Sequence, residues 1–165
     1  MSQPHQAGPT FSSLAIDALG AGAIDFADVI LLEIGPDLAS RWTQDPALAA
    51  REIFSLNGLR WPIKVLFGAR QLFVTALGMT HRGDEARSFD VREVHDGEAL
   101  IVTAAPHLDF FVGVAVQDRL LRVTTAGHLK GLKGRLYFAP VAWAHPVVTR
   151  SMMRSAVARQ ERRSG

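Results

Sequence analysis

In the second half of the chain, apolar and polar residues alternate with a period of two, which is typical of half-buried strands. Residues 88–95 and 98–104 show this alternation on either side of Asp96-Gly97. That dipeptide readily adopts the positive φ angles of a type I′ turn, so the pattern predicts a tight antiparallel hairpin. This hairpin is the strongest local signal in the sequence.

The alternation continues beyond the hairpin and predicts a meander of about five strands in all. The three further strands are predicted at residues 107–116, 119–125 and 135–141. A tight connection at Gln117-Asp118 joins the first two of these, and a loop rich in glycine and lysine, residues 127–134, precedes the last.

Near the start of the chain, residues 25–34 end in a short apolar run rich in β-branched side chains. Gly35 and Pro36 close the run, so it predicts a buried first strand. A helix is the alternative, because short apolar runs fit both structures.

Between this strand and the hairpin, the spacing of apolar residues is that of helices. Asp45 followed by Pro46 is a favourable N-cap and first-turn pair, and we expect the helix they begin to end at Asn57-Gly58. A further apolar helical segment opens at Trp61. These helices are hydrophobic enough to pack on a sheet.

The pattern becomes helical again at residues 144–159, which predict one amphipathic helix with Pro146 near its first turn. From Arg150 onward there are five arginines and one glutamate, a balance of +4. Arginines in the last turns suit the helix dipole, so we interpret them as a solvated helix end. Contact with nucleic acid or anionic lipid is the alternative.

Length and composition are those of one globular domain, since 48% of the 165 residues are hydrophobic and 21% are charged. We place this domain at residues 13–165, behind a polar extension at residues 1–12. No signal peptide or membrane span is predicted, and we expect a cytoplasmic protein. The absence of cysteine excludes disulfides, thiolate metal sites and cysteine nucleophiles.

Together these elements predict an α+β fold of the helix-grip type. A curved antiparallel sheet would bury one face against a long C-terminal helix, and the N-terminal helices would cover its open end.

Three motifs carry a resemblance to a known family: HLDF at residues 107–110, GRLYF at residues 134–138, and the histidine at 145. Here the chain resembles a bacterial family catalogued only as a domain of unknown function, and the resemblance extends over residues 25–158. It implies the helix-grip fold of the START and polyketide-cyclase (SRPBCC) group. Members fused behind short-chain-dehydrogenase-type NAD(P)-binding domains also imply an accessory role beside an oxidoreductase.

The chain departs from that family at two places. Phe111 stands where many relatives have an arginine, and residues 142–146 read AWAHP around the histidine. Roles of the family's arginines at these places therefore do not carry over.

Candidate ligand-binding residues lie at the ends of the predicted strands and at the start of the predicted terminal helix. They are His107, Asp109, Phe111, Arg135, Tyr137, Trp143 and His145. The first two lie two apart on a predicted strand and share a face with Phe111. They would bind a polar ligand group or exchange a proton, or else tie down the loop at Pro106.

Arg135 and Tyr137 are likewise expected to share a strand face. They would anchor an anionic or carbonyl-bearing ligand, or Arg135 would pair with Asp109. His145 is expected where the terminal helix begins, where it would cap the helix or close a cavity mouth together with Trp143.

The leading functional prediction is binding of a small hydrophobic molecule, such as a lipid, a polyketide or an aromatic metabolite, between the sheet and the terminal helix. The alternatives are a cyclase, isomerase or dehydratase using polar residues of that cavity, and an accessory domain for an oxidoreductase. No metal, cofactor or nucleic acid is predicted, because the histidines are scattered and no G-x-S-x-G, P-loop, G-x-G-x-x-G or RNP motif occurs. Homo-oligomerisation stays open.

Overall fold

The computed structural model describes residues 13–55, 90–105 and 108–164. Within these ranges the chain is α+β, with five strands in one curved antiparallel sheet and a long C-terminal helix. The elements are, in chain order, α1 (Leu14–Leu19), a 3₁₀ turn (Ala21–Ala23), β1 (Phe26–Glu33), α2 (Pro36–Gln44), α3 (Pro46–Phe54), β2 (Val91–His95), β3 (Glu98–Ala105), β4 (Leu108–Gln117), β5 (Leu120–Leu129) and α4 (Gly131–Ser164). The predicted extension at residues 1–12 and the helical segment opening at Trp61 lie outside the described residues.

The strands of the sheet lie in the order β1-β5-β4-β3-β2. The predicted first strand is confirmed, and it pairs along its whole length with β5. The expectation that it is buried is wrong, because β1 lies at the edge of the sheet and exposes alternate residues, with Val29 53% and Leu31 42% exposed. The meander therefore contributes four strands, and β1 supplies the fifth. Both β1 and β2 are edge strands.

The predicted hairpin at Asp96-Gly97 is confirmed. His95 pairs with Glu98, and the two residues between them have φ angles of 48° and 75°. Two consecutive positive φ angles match the type I′ turn that the dipeptide favours.

The second tight turn lies one residue further along than predicted. Gln117 remains in the ladder, paired with Leu120, so the turn residues are Asp118 and Arg119 with φ angles of 48° and 66°. Arg119 is an unusual residue for a left-handed conformation. Its guanidinium donates hydrogen bonds to the Ile34 carbonyl oxygen and to Glu33, which ties the turn to the end of β1.

Helices α2 and α3 follow β1 and are separated by Asp45. The Asp45 carboxylate accepts a hydrogen bond of 2.9 Å from the Leu48 backbone N–H, and Pro46 occupies the first turn, as predicted. The helix ends at Phe54, three residues before the expected stop at Asn57.

Helix α4 differs most from the sequence prediction. Residues 131–164 form one helix, so the strand predicted at residues 135–141 and the helix start predicted at residue 144 are both wrong. Pro140 and Pro146 lie inside the helix, and both are exposed. A proline lacks the N–H that bonds the carbonyl four residues earlier, and on the exposed side water can replace that donor.

The two faces of the sheet have different coverings. The face that contacts α2, α3 and α4, here called the helix face, carries the main apolar core. The three helices and the sheet all contribute fully buried side chains to this core, including Trp42 of α2, Ile53 of α3, Val123 of β5 and Met153 of α4. The opposite face, here called the α1 face, is covered in part by α1.

A smaller apolar cluster lies under the first half of α4. Phe138 of the helix is buried against Phe26, Phe110 and Leu129 of the sheet, and its ring meets Phe26 edge to face at 4.6 Å between centroids. These contacts hold the helical conformation of the GRLYF segment, although its aromatic residues alone suggest a strand. None of the described helices is long and apolar enough to cross a membrane.

Candidate functional site

A carboxylate and an imidazole meet on the helix face between the two apolar clusters. Asp28 of β1 points inward from the edge strand, and its Oδ2 atom lies 2.9 Å from Nδ1 of His145 on α4. The two side chains are only 18% and 13% exposed. The pair thus joins the first strand to the last helix inside a largely apolar region.

Aromatic rings frame the imidazole of His145. Phe26 and Phe110 approach it edge to face, with centroid distances of 5.6 Å and 5.8 Å. These rings come from β1 and β4, and β5 lies between these two strands. Gly127 of β5 is the pairing partner of Phe26 on one side and of Phe110 on the other. Because Gly127 has no side chain, the side chains of Leu108 and Phe110 lie at ordinary contact distance from the place that a Cβ would occupy there.

The pair leaves hydrogen-bonding capacity unused. Oδ1 of Asp28 is buried and has no hydrogen-bond partner among the described residues. His145 makes no hydrogen bond through Nε2 within the same part of the chain. An ionised carboxylate only accepts, so the proton of this hydrogen bond belongs to Nδ1, and in a neutral imidazole Nε2 is then an acceptor.

Chemically, the pair offers two polar atoms in an apolar frame. Nε2 can accept a hydrogen bond or a proton, and Oδ1 can accept a hydrogen bond from a hydroxyl or amide group. Within the described residues no group of three histidine, aspartate or glutamate side chains is arranged to hold a metal ion.

Asp109 and Phe111 lie on the α1 face, because β4 alternates and Phe110 occupies the helix face. Asp109 forms an ion pair of 2.6 Å with Lys130, not with Arg135. These two predicted site residues are therefore separated by the sheet from the Asp28–His145 pair. His107 lies outside the described residues.

Arg135 and Tyr137 lie on α4, not on a strand. The predicted strand, whose alternation was the reason to expect a shared face, is therefore absent at these positions. Arg135 is exposed, and the side chain of Tyr137 lies outside the described part of the structure.

His145 and Trp143 have positions different from those expected at a helix start. His145 lies well inside α4 and faces the sheet, whereas Trp143 is 87% exposed and points away from it. Among the predicted residues whose side chains the structure describes, His145 alone belongs to the helix-face pair.

Sequence reasoning missed the residues that complete this pair. Asp28, Phe26 and Phe110 were not singled out, although Asp28 occupies the same alternating register as the buried Ile30. A polar residue in the buried register of a strand was the available signal.

A second buried acid lies on the α1 face. Glu98 accepts hydrogen bonds from the Ser13 hydroxyl at 2.7 Å, the Leu14 backbone N–H at 3.1 Å and the Arg122 guanidinium at 3.2 Å. These donors satisfy both oxygens and attach the start of α1 to the sheet. Glu98 is therefore structural.

Comparison with known proteins gives a family and no activity. A family model described as "Protein of unknown function (DUF2867)" matches residues 21–152. The chain belongs to the DUF2867 family. The matched range includes the whole sheet and α4 as far as Met152, so Asp28 and His145 both lie within the DUF2867 region. No curated protein and no solved structure matches the chain.

Proposed function

We propose that the chain binds a small, mainly apolar ligand between the helix face of the sheet and α4, with Asp28 and His145 as its polar anchor. The curved sheet and the long helix would then act as a helix-grip fold. The ligand would carry one hydroxyl or N–H donor group on an apolar body, as many lipids, polyketides and aromatic metabolites do.

The observation that carries this proposal is the buried Oδ1 atom of Asp28, which lacks a partner among the described residues. Buried polar atoms in native structures nearly always have a hydrogen-bond partner, from protein, water or ligand. The imidazole that bonds the other oxygen of Asp28 has its Nε2 atom available, and the rings of Phe26 and Phe110 lie against this imidazole. A ligand donor would satisfy the carboxylate, and the rings would contact the apolar body.

Native mass spectrometry of the purified protein is the first test, because a retained mass would identify the ligand class. Titration with the apolar fluorophore anilinonaphthalene sulfonate gives an affinity that can be compared among variants. Asp28→Asn and His145→Gln should each weaken binding of the retained molecule or the fluorophore about tenfold, the usual effect of losing one hydrogen bond to a charged or polar anchor.

Asp109→Asn is the matched control, since Asp109 is a half-buried acid on the other face of the sheet. Unchanged binding in this variant, with weaker binding in the other two, supports the helix-face site. The reverse pattern would move the site to the α1 face, where Asp109 and Phe111 lie.

A second candidate function is proton transfer, and the orientation of His145 favours it. A carboxylate on Nδ1 with Nε2 available is the arrangement of a general base. The test is to incubate the protein and its retained molecule in D₂O and to follow deuterium incorporation by mass spectrometry. Incorporation at carbon that is lost in His145→Gln supports an isomerase or cyclase, and absence of incorporation leaves binding alone.

A further inference from the structure

The outward side of α4 carries a row of large apolar side chains. Leu132, Leu136, Trp143 and Val147 are 73%, 53%, 87% and 72% exposed. Their spacings of four, seven and four residues place them within an arc of about 60°, and they extend over roughly 22 Å of the helix. We call these four residues the outer row. They lie on the side of α4 opposite His145.

Basic residues accompany the outer row. Lys133 and Arg135 lie on its two sides, and Arg150 and Arg154 continue the same side of the helix beyond Val147. All four are exposed. From Gly131 to Gln160 the sequence of α4 contains no aspartate or glutamate.

This charge distribution favours one kind of occupant. A second copy would bring two acid-free, basic helices together, and like charges repel. An anionic lipid surface complements the charge, accepts the apolar row at the boundary of headgroups and acyl chains, and suits an exposed tryptophan. The row is also a projecting helix side and not a groove, which fits a flat surface.

We propose that the outer row and its basic neighbours form a docking surface for an anionic lipid bilayer, with α4 lying parallel to the membrane plane. The proposal does not depend on ligand binding by Asp28 and His145, because it uses the other side of the helix. If both proposals hold, α4 separates the membrane from the ligand.

The test is co-sedimentation of the full chain with vesicles of phosphatidylcholine containing phosphatidylserine, compared with pure phosphatidylcholine. We expect binding to the anionic vesicles and weakening at high salt. Tryptophan emission should shift to the blue on binding in the native protein and not in Trp143→Phe.

Three variants sharpen the test. Trp143→Glu should lower the partition coefficient about tenfold, as should the double change Arg150→Gln with Arg154→Gln. Val94→Glu is the matched control, because Val94 is a 48% exposed apolar residue on the edge strand β2 and the change in charge is the same. Far-ultraviolet circular dichroism establishes that each variant is folded.

Several outcomes would overturn the proposal. They are no binding to anionic vesicles, equal loss of binding in Val94→Glu, a concentration-dependent dimer abolished by Trp143→Glu, and preferential binding of single-stranded RNA. Protection of Trp143 from acrylamide quenching in the vesicle-free monomer would also overturn it, since another part of the chain would then cover the row.

Discussion

The two faces of the sheet each contain a buried carboxylate, and the two carboxylates differ in how completely they are bonded. Glu98 on the α1 face receives hydrogen bonds on both oxygens from a hydroxyl, a backbone amide and a guanidinium. Asp28 on the helix face meets one imidazole, and its second oxygen has no partner among the described residues. Glu98 completes a structural hydrogen-bond network, whereas Asp28 keeps one oxygen available to accept a hydrogen bond from another molecule.

This difference gives a way to separate structural from functional polar groups. A buried charge that is fully paired is destabilising to remove, because its partners remain buried without it. A buried charge with missing donors already carries a desolvation penalty, so removing it should change stability little and binding more.

The largest effect is expected for Glu98→Ala. The change takes one acceptor away from three buried or part-buried donors, the Ser13 hydroxyl, the Leu14 N–H and the Arg122 guanidinium, so unfolding free energy should fall by about 3–5 kcal/mol in urea denaturation. Glu33→Ala is the control, because the Glu33–Arg119 pair is exposed and should contribute less than about 1 kcal/mol. Should Glu98→Ala not fold, Glu98→Gln must lose more stability than Glu33→Gln for the structural role to hold.

Gly113→Ala tests how closely the Glu98 carboxylate packs on the neighbouring strand. A methyl group at this position would collide with the carboxylate of Glu98, so we expect a loss of about 1–3 kcal/mol by denaturation. At Gly127, on the helix face, the nearest atom to an added methyl group lies 3.6 Å away, which is an ordinary contact. Gly127→Ala should be neutral or stabilising by up to about 1 kcal/mol, and equal losses at both sites would contradict the assigned packing.

Asp28→Asn tests whether the incompletely bonded carboxylate contributes little to stability. The asparagine oxygen can still accept the His145 hydrogen bond while the buried charge disappears, so unfolding free energy should change by less than about 1 kcal/mol. A loss above about 2 kcal/mol would make Asp28 as structural as Glu98. That result would remove the main support for a binding site here.

The smallest effect concerns Asp25, which precedes β1. The Leu129 backbone N–H donates to its Oδ2 at 2.8 Å and, with further contributions from His128 and Arg135, lowers the pKa of Asp25 below its ordinary value of 3.8. A lowered folded-state pKa stabilises the protein above pH 3.8, and this contribution disappears as pH falls through the folded pKa. The native protein should therefore be more stable than Asp25→Asn at pH 6, and the difference should shrink towards pH 3. A difference that stays constant over this range would show that the charge of Asp25 plays no part.

Local signals predicted several elements because their causes are local. Asp96-Gly97 suits positive φ angles, and Asp45-Pro46 begins a helix, wherever they occur. The start of α4 could not be predicted in this way, because Gly134, Pro140 and Pro146 ordinarily interrupt regular structure. There the packing of Phe138 and His145 on the sheet determines the helix.

The candidate site could be predicted only in part for a related reason. The sequence predicts His145 as a site residue, but at a helix start, whereas it lies well inside α4. Its partner Asp28 lies 117 positions away, and no sequence spacing connects them. The antiparallel pairing of β1 with β5 determines which acid faces the helix, and that pairing is a property of the whole sheet.

The strand order also has a consequence for the time course of folding. Strands β2 to β5 form by successive connections between neighbours, whereas β1 and α4 must close a long loop before Asp28 can reach His145. Contacts between distant positions form slowly because closure entropy opposes them. A folding intermediate in which only β2 to β5 are paired would therefore contain the hairpin turns but not the Asp28–His145 pair. The pair exists only once the sheet has gained its fifth strand, so occupancy of the site would select fully folded molecules.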